Sequence, residues 1–191
     1  MAQLEAAGDL ELRNLRSEDE VRAAYPLEVA GYSAEEGASL ESMLYRFRQA
    51  PHLFLGAFDQ LGAIVGYIMS TQVAAPLVTH ASMGTHDPDG STVCIHSVCV
   101  SPRWQGKGVA SRLLQAYTSS MREYNSRLDS AGSGRRLDRL AMLSRENLLP
   151  LYERAGYTTL GRSSQPVGTE SWYDCVLDLH TDPGQTAETL V

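Results

Sequence analysis

Apolar residues recur along this chain with two different periods, and these periods predict its secondary structure. In residues 109–121 the apolar positions fall on one face of a helix. Ser17 followed three residues later by Glu20 has the pattern of a capping box, so we expect a helix to begin there. Pro26 lies inside this helix and should bend or split it. The apolar spacing predicts two more helices, at residues 39–50 and 147–157.

The strand predictions come from short runs of β-branched and aromatic residues that are bounded by turn residues. Residues 92–100 predict a buried strand, because both alternating faces of this run are apolar or small. Residues 75–91 and 125–138 are polar and rich in turn residues, which predicts a loop and a flexible, exposed connection. The remaining predicted strands are residues 10–16, 52–59, 62–73, 139–144 and 171–180. The resulting order is β-α-α-β-β-β-α-β-α-β, which predicts an α/β (α+β) fold with a mixed sheet.

Length, composition and charge fit one soluble domain. The chain has 191 residues, of which 43% are hydrophobic and 20% charged. We expect a single domain over residues 1–191, with a core at about 10–180 and a frayed tail at 181–191. The net charge of −7 argues against nucleic acid as the main partner, because phosphate backbones need a basic face. No apolar run approaches the roughly 18 residues of a membrane span, so no membrane partner is expected.

The three cysteines favour a reducing environment. Their number is odd and the chain is not small, so a disulfide framework is not expected. The N-terminal segment also lacks the basic and apolar regions of a secretory signal, and we therefore expect a cytoplasmic protein. Cys94 and His96 could suggest a metal site, but no second ligand pair has the spacing of a zinc site, so no metal is expected.

The stretch RWQGKGVAS, residues 103–111, joins the buried strand to the long helix through a glycine turn. A helix N-terminus presents unpaired N–H groups and partial positive charge, and glycines let a ligand approach the backbone closely. We therefore expect this turn to hold a phosphate or pyrophosphate. Two common phosphate motifs do not fit: a Walker loop would need glycine at Ser101, and a dinucleotide fingerprint would need glycine at Ser111. A plain β-α turn with glycines for tightness is the alternative.

Two motifs together resemble the GNAT superfamily of N-acetyltransferases. The first is the glycine turn, QGKGVA, and the second is ENLLPLYERAGY at residues 146–157. The resemblance implies a mixed, mostly antiparallel twisted sheet of about seven strands flanked by about four helices. It also implies acetyl-CoA as co-substrate, with no metal. The residues that match the superfamily's cofactor-binding positions are Val98, Cys99, Val100, Gln105, Gly106, Lys107, Gly108, Val109, Ala110, Ser111 and Asn147.

Within the superfamily, residues from about 12 to 179 resemble the serotonin (arylalkylamine) N-acetyltransferases, and in particular their non-vertebrate members. The resemblance implies that His96 is a catalytic base and that Tyr152 is the general acid. That family has a second histidine two residues earlier, where this chain has Cys94, so a two-histidine proton relay cannot operate. The amine-pocket positions of the family fall on Tyr32, Val167, Glu170 and Trp172.

Glu170 departs from the apolar residue of that family and suggests a second cationic group on the substrate, as in a diamine or polyamine. The expected reaction is direct acetyl transfer to the primary amine of a small arylalkylamine or polyamine, by a monomer or weak dimer. His96 would remove the amine proton directly or through water, and Tyr152 would protonate the departing thiolate. A peptide or protein N-acetyltransferase and a non-catalytic acyl-CoA-binding module are the alternatives. A histidine on a buried strand and a tyrosine on an amphipathic helix can also be ordinary core residues.

Overall fold

Seven strands and four helices are formed by the part of the chain that the structure, a computed structural model, describes, namely residues 10–165, 168 and 170–180. The strands are β1 Glu11–Asn14, β2 Phe54–Phe58, β3 Ile64–Val73, β4 Thr92–Val100, β5 Arg139–Arg145, β6 Thr158–Arg162 and β7 Trp172–Asp178. The helices are α1 Glu18–Gly31, α2 Leu40–Gln49, α3 Val109–Ser130 and α4 Leu149–Arg154. None of the described helices combines the length and the apolar character needed to cross a bilayer.

The strands form one mixed sheet in the order β1-β2-β3-β4-β5-β7-β6. The pairs β1–β2, β2–β3, β5–β7 and β6–β7 are antiparallel, and β4–β5 is parallel. A parallel pair needs a crossover connection, which α3 supplies between β4 and β5. This arrangement confirms the predicted fold class.

The ladder between β4 and β5 covers only part of each strand. It pairs Thr92 to Ile95 with Arg139 to Met142, and β4 continues past this ladder as residues 96–100. In that continuation buried and partly exposed residues alternate, with Ser97 and Cys99 buried and the residues on either side of them partly exposed. Such alternation is the two-residue period of a strand with one covered face.

The described chain divides into two compact units, each with its own apolar core. The first unit is residues 10–70 and 96–117. Its core includes an edge-on contact of Phe47 with Phe54, whose ring centroids lie 5.3 Å apart. The second unit is residues 71–95 and 118–180. Its buried apolar cluster contains Val73, Val78, Cys94 and Ala141.

The start of α1 follows the sequence prediction, but its interior does not. The Ser17 side chain accepts a hydrogen bond from the Glu20 N–H, as a capping box requires. The helix runs through Pro26 without a split, contrary to the expectation. Pro26 is exposed, while Val21, Ala24 and Glu28 hold the opposite face of the helix in the interior. Burial of that face keeps the helix continuous where local propensity would end it.

Two further predictions were wrong. The segment 125–138 is not a flexible connection: α3 continues to Ser130, and buried Asn125 pairs with the backbone of Leu137 through both ends of its amide, at 2.7 and 2.8 Å. The predicted order also omitted β6, a five-residue edge strand with a register shift between Thr159 and Gly161. A short, irregular edge strand carries a weak apolar pattern, and its pairing with β7 decides its conformation.

Candidate active site

The structure has a glycine turn between β4 and α3, where the sequence predicted one. Gly106 and Gly108 have φ values of 72° and 79°, in the left-handed region that favours glycine. A Cβ at either position would meet no described atom within 4 Å, so conformational strain rather than space selects glycine there. The N–H groups of Trp104 and Gln105 both donate to the Ser101 carbonyl, at 2.8 and 3.1 Å, and form the start of the turn.

The first turn of α3 follows directly after Gly108. The Arg112 N–H donates to the Gly108 carbonyl at 3.1 Å, in the i to i−4 pattern of the helix. The N–H groups of residues 109–111 precede that bond and belong to the first turn, whose donors lack intrahelical acceptors. A 22-residue helix adds the positive end of its dipole. Such a turn is suited to bind a phosphate group.

Side chains around the turn divide into exposed and buried sets. Gln105 donates through Nε2 to the Val100 carbonyl at 3.1 Å, which ties the turn to the end of β4. The Lys107 ammonium lies over the Trp104 ring, 5.1 Å from its centroid. Val109 is buried in the core, Ala110 is partly buried and Ser111 is exposed. Val109 therefore contributes to packing, and its predicted contact with a cofactor is limited to its backbone.

His96 lies on β4 at the first residue past the ladder with β5. Burial and, second, the positive charge of Arg46 lower the pKa of His96 well below its ordinary value. The imidazole is therefore neutral at neutral pH, which is the form that accepts a proton. Val98 and Val100, which alternate with the buried residues of this segment, are partly exposed like His96.

A buried carboxylate on α1 is a site component that the sequence analysis missed. Glu28 is only 2% exposed and accepts four hydrogen bonds. Its Oε1 accepts from the Ala38 N–H at 2.8 Å and from the Ser97 hydroxyl at 3.0 Å. Its Oε2 accepts from the Cys99 thiol at 3.3 Å and from the Tyr67 hydroxyl. Glu28 thus joins α1 to β3 and β4 through side chains.

Arg46 is a second buried charged residue that the sequence analysis missed. It is 8% exposed on α2, and its Nη1 lies 3.8 Å from the Met69 sulfur. Burial lowers the pKa of Arg46, while the negative charge of Glu28 opposes that shift. The sequence did contain a signal for both residues: Glu28 lies seven positions after Val21 on one helix face, and Arg46 adjoins the apolar face of α2. A charged residue at such a position indicates a buried partner.

The predicted site residues fall into both units. The first unit contains His96, residues 98–100, the glycine turn and Tyr32, which is partly buried at the end of α1 and packs against the core that includes Cys99. The Cys99 side chain is directed to Glu28, so any contact with a cofactor is through its backbone. Cys94 is a small, fully buried residue of the second unit. All three cysteines are free and buried.

The second unit contains Tyr152, Asn147, Glu170 and Trp172. Tyr152 is buried on α4, with its ring edge-on to Tyr157 at a centroid distance of 6.0 Å. α4 ends at Arg154, and Gly156, two residues later, has a φ of 94°, in the left-handed region where a glycine commonly follows a helix. Val167, predicted for the amine pocket, lies outside the described residues, as does the tail at 181–191.

An open cavity of about 450 Å³ lies in the second unit. Its lining residues are Arg145, Glu146, Asn147, Glu170 and Ser171. The structure thus brings together Asn147 and Glu170, which the sequence analysis assigned to the cofactor and to the amine. Trp172 is buried beside this cavity's Arg145, whose guanidinium lies 5.4 Å from the indole centroid. Within the described residues, no group of three or more His, Cys, Asp or Glu side chains could hold a metal ion.

Comparison with known protein families gives one decisive match. The family model described as "Acetyltransferase (GNAT) family" matches residues 12–157, which is more than half of the chain. The chain belongs to the GNAT acetyltransferase family. The match includes both motifs on which the resemblance was based, namely the glycine turn and residues 146–157.

Curated relatives of this GNAT chain include two mammalian serotonin N-acetyltransferases. The enzyme of Mesocricetus auratus is 26% identical over 143 residues, which are 74% of this chain and 64% of the relative. The enzyme of Macaca mulatta is 26% identical over 176 residues, which are 91% of this chain and 80% of the relative. This chain therefore spans slightly less than two thirds of the hamster protein's length. These matches do not distinguish a vertebrate from a non-vertebrate type.

Solved structures with the same fold include two that carry different functions. A GNAT-like decarboxylase, GphF, in complex with isobutyryl-CoA matches with a TM-score of 0.73 and 18% identity, over 88% of this chain and 99% of that one. A spermidine N-acetyltransferase SpeG chimera from Vibrio cholerae and hSSAT matches with a TM-score of 0.60 and 15% identity, over 90% and 97%. At such identities the likeness establishes the fold and leaves the reaction open.

Proposed function

We propose that this protein transfers the acetyl group of acetyl-CoA to the primary amine of a small molecule, either an arylalkylamine or a polyamine. The observation that carries the proposal is the glycine turn, with Gly106 and Gly108 in the left-handed region at the start of a 22-residue helix. This geometry fits the diphosphate of coenzyme A. Membership of the GNAT family supports acyl transfer as the reaction class.

The cofactor's extended arm fits the continuation of β4. Residues 96–100 lie past the ladder with β5, so the backbone groups of residues 98–100 on that side are suited to pair with the pantetheine amides. The N–H groups of the α3 first turn, with Lys107 beside them, would hold the diphosphate. Asn147, which lines the cavity of the second unit, is proposed as a further cofactor contact.

His96 is proposed to remove the amine proton. An alkylammonium has a pKa of about 10.4, so only about one molecule in a few thousand is neutral at pH 7. The imidazole is held neutral by burial and by the charge of Arg46, and it therefore accepts the proton directly or through water. The amine nitrogen then forms a bond to the thioester carbonyl carbon.

Tyr152 is proposed to complete the transfer. As the tetrahedral species collapses, the C–S bond breaks and the thiolate takes the phenolic proton, which gives free coenzyme A and the N-acetylated amine. The proton taken up by His96 returns to Tyr152 through solvent, so the enzyme is regenerated. A backbone N–H near Val98 would stabilise the oxyanion.

Tyr32, Val167, Glu170 and Trp172 are proposed, from the family resemblance, to contact the amine. Glu170 is exposed and shares its cavity with Glu146, so a second ammonium group would meet two carboxylates there. This supports a diamine or polyamine as an alternative to a purely aromatic amine. No further observation favours a peptide acceptor or a module that only binds acyl-CoA.

A free-thiol release assay on tryptamine, phenethylamine, putrescine and a short peptide tests the proposal. We expect His96→Gln and Tyr152→Phe each to lower kcat by about 10²- to 10⁴-fold, with acetyl-CoA affinity in calorimetry unchanged. The exposed residues His52 and Tyr45 provide matched controls, as His52→Gln and Tyr45→Phe. Turnover of the peptide alone would favour the protein-acetyltransferase alternative. A protein that binds no acetyl-CoA would refute the proposal.

A further inference from the structure

The strongest unexplained feature of the molecule is the saturated carboxylate of Glu28. A carboxylate has about four lone-pair sites for hydrogen bonds. In this chain each oxygen of Glu28 accepts from two donors, and the four donors come from β3, β4 and the segment after α1. With both oxygens occupied and 2% of the residue exposed, Glu28 is poorly placed to take a proton from a substrate.

Two of the four donors lie on the strand segment that carries the proposed chemistry. Ser97 and Cys99 alternate with His96, Val98 and Val100 along β4. Because neighbouring strand residues face opposite sides, Glu28 holds the covered side while the other side carries the base and the proposed pantetheine track. The α1 helix is also close to this strand: a Cβ on Gly31 would lie 3.3 Å from the Cys99 sulfur.

Arg46 of α2 is the charged group that acts on His96: its positive charge disfavours protonation of the imidazole. Glu28 of α1, Tyr67 of β3 and Cys99 of β4 belong to the hydrogen-bond network of the carboxylate. The negative charge of Glu28 favours the charged form of Arg46. Burial raises the pKa of Tyr67 and of Cys99, so both remain protonated donors.

We propose that Glu28 is a positioning residue, which fixes the strand segment 96–100 through Ser97 and Cys99. The inference rests on the proposed acetyl transfer only for its consequence in catalysis. Loss of Glu28 would loosen the segment, because Ser97 and Cys99 would lose the acceptor that they share.

Amide hydrogen exchange of full-length Glu28→Gln measures how strongly Glu28 stabilises residues 96–100 of β4. We expect the amides of residues 96–100 to exchange at least tenfold faster than in wild type, and less so in Ser97→Ala and Tyr67→Phe, which each remove one donor. Glu41→Gln, an exposed glutamate of α2, is the matched control. If Glu28→Gln fails to fold, Ser97→Ala and Tyr67→Phe still test whether hydrogen bonds to Glu28 stabilise this segment.

Titration of the His96 ring by NMR measures the effect of the neighbouring charge. We expect the His96 pKa to rise in Arg46→Gln, because a positive charge that disfavours its protonation is removed, and the acid-side midpoint of kcat to rise with it. Unchanged exchange in Glu28→Gln, Ser97→Ala and Tyr67→Phe would overturn the inference. So would a loss of kcat in Glu28→Gln with unchanged exchange, because Glu28 would then act chemically. A wild type that binds no acetyl-CoA would refute the proposed function, while the exchange results would still decide this inference.

Discussion

Glu28 and Glu170 are the same residue type in opposite surroundings. Glu28 is buried in the first unit and accepts hydrogen bonds from four donors. Glu170 is exposed in the second unit, at a cavity that it shares with Glu146 and Arg145. A saturated carboxylate holds other groups in place, while an accessible one is available to bind a ligand cation. The comparison thus separates a glutamate that is suited to hold other residues in place from one that is suited to bind a ligand.

The largest difference between the two glutamates should be in stability. Glu28→Ala leaves three buried side-chain donors without their acceptor and removes the negative charge that favours the charged form of Arg46, so we expect the free energy of unfolding to fall by about 3–5 kcal/mol. Glu170→Ala should change it by less than about 0.5 kcal/mol. Urea unfolding of both variants measures this contrast. Equal losses of stability in the two variants would show that the buried Glu28 stabilises the fold no more than the exposed Glu170 does.

Removal of one hydrogen-bond donor to Glu28 tests the same contrast between buried and exposed side chains. Tyr67 is fully buried, and Tyr67→Phe deletes its hydrogen bond to Glu28. We expect a loss of about 1–3 kcal/mol in the free energy of unfolding, because one buried acceptor site is left unpaired. Tyr45→Phe, at a tyrosine that is 42% exposed, should have almost no effect. A loss in both variants would point to a general effect of the missing hydroxyl.

The pH dependence of stability tests whether burial and the charge of Arg46 keep His96 neutral. The folded-state pKa of His96 lies well below its unfolded value, so below about pH 6.5 the unfolded chain takes up the proton first. Stability is then fully present above that pH and falls as the pH is lowered, by at most about 1.4 kcal/mol per pH unit for one histidine. His96→Gln should flatten the curve. Burial also lowers the pKa of His86 in the second unit, so His86→Gln should flatten it to a smaller extent.

The smallest expected effect concerns recognition at Glu170. An exposed ion pair contributes about 0.2–1 kcal/mol, so Glu170→Gln should raise the KM for putrescine by up to about fivefold. The KM for phenethylamine should not change, because that amine has no second charge. Steady-state thiol release with both amines measures the ratio. Equal changes for both amines would exclude Glu170 as a site for the second cation.

Features that depend on neighbouring residues along the chain were predicted well. The glycine turn lies where the sequence predicted it, and the apolar face of α3 is buried at Val109, Leu113, Leu114, Tyr117 and Met121. The predictions failed where distant segments decide the conformation. The continuity of α1 through Pro26 and the pairing of Asn125 with Leu137 depend on burial and on contacts that local patterns do not contain.

The same distinction between local patterns and distant contacts applies to the residues of the candidate site. The glycine turn before α3 could be located from the sequence, because its residues are contiguous, and the resemblance to the GNAT superfamily predicted His96 and Tyr152. Motif spacing did not identify Glu28, Arg46 or Tyr67, which are 18 and 21 residues apart along the chain. Their relation arises only when α1, α2 and β3 pack against each other.

By itself the sequence determined the family, the position of the glycine turn and the alternation of β4, since each depends on local geometry and periodicity. Only the tertiary structure decided which glutamate is buried and saturated and which is exposed. The physical reason is that burial of a charge is tolerated only where several donors converge, and convergence is a property of packed elements rather than of any one segment.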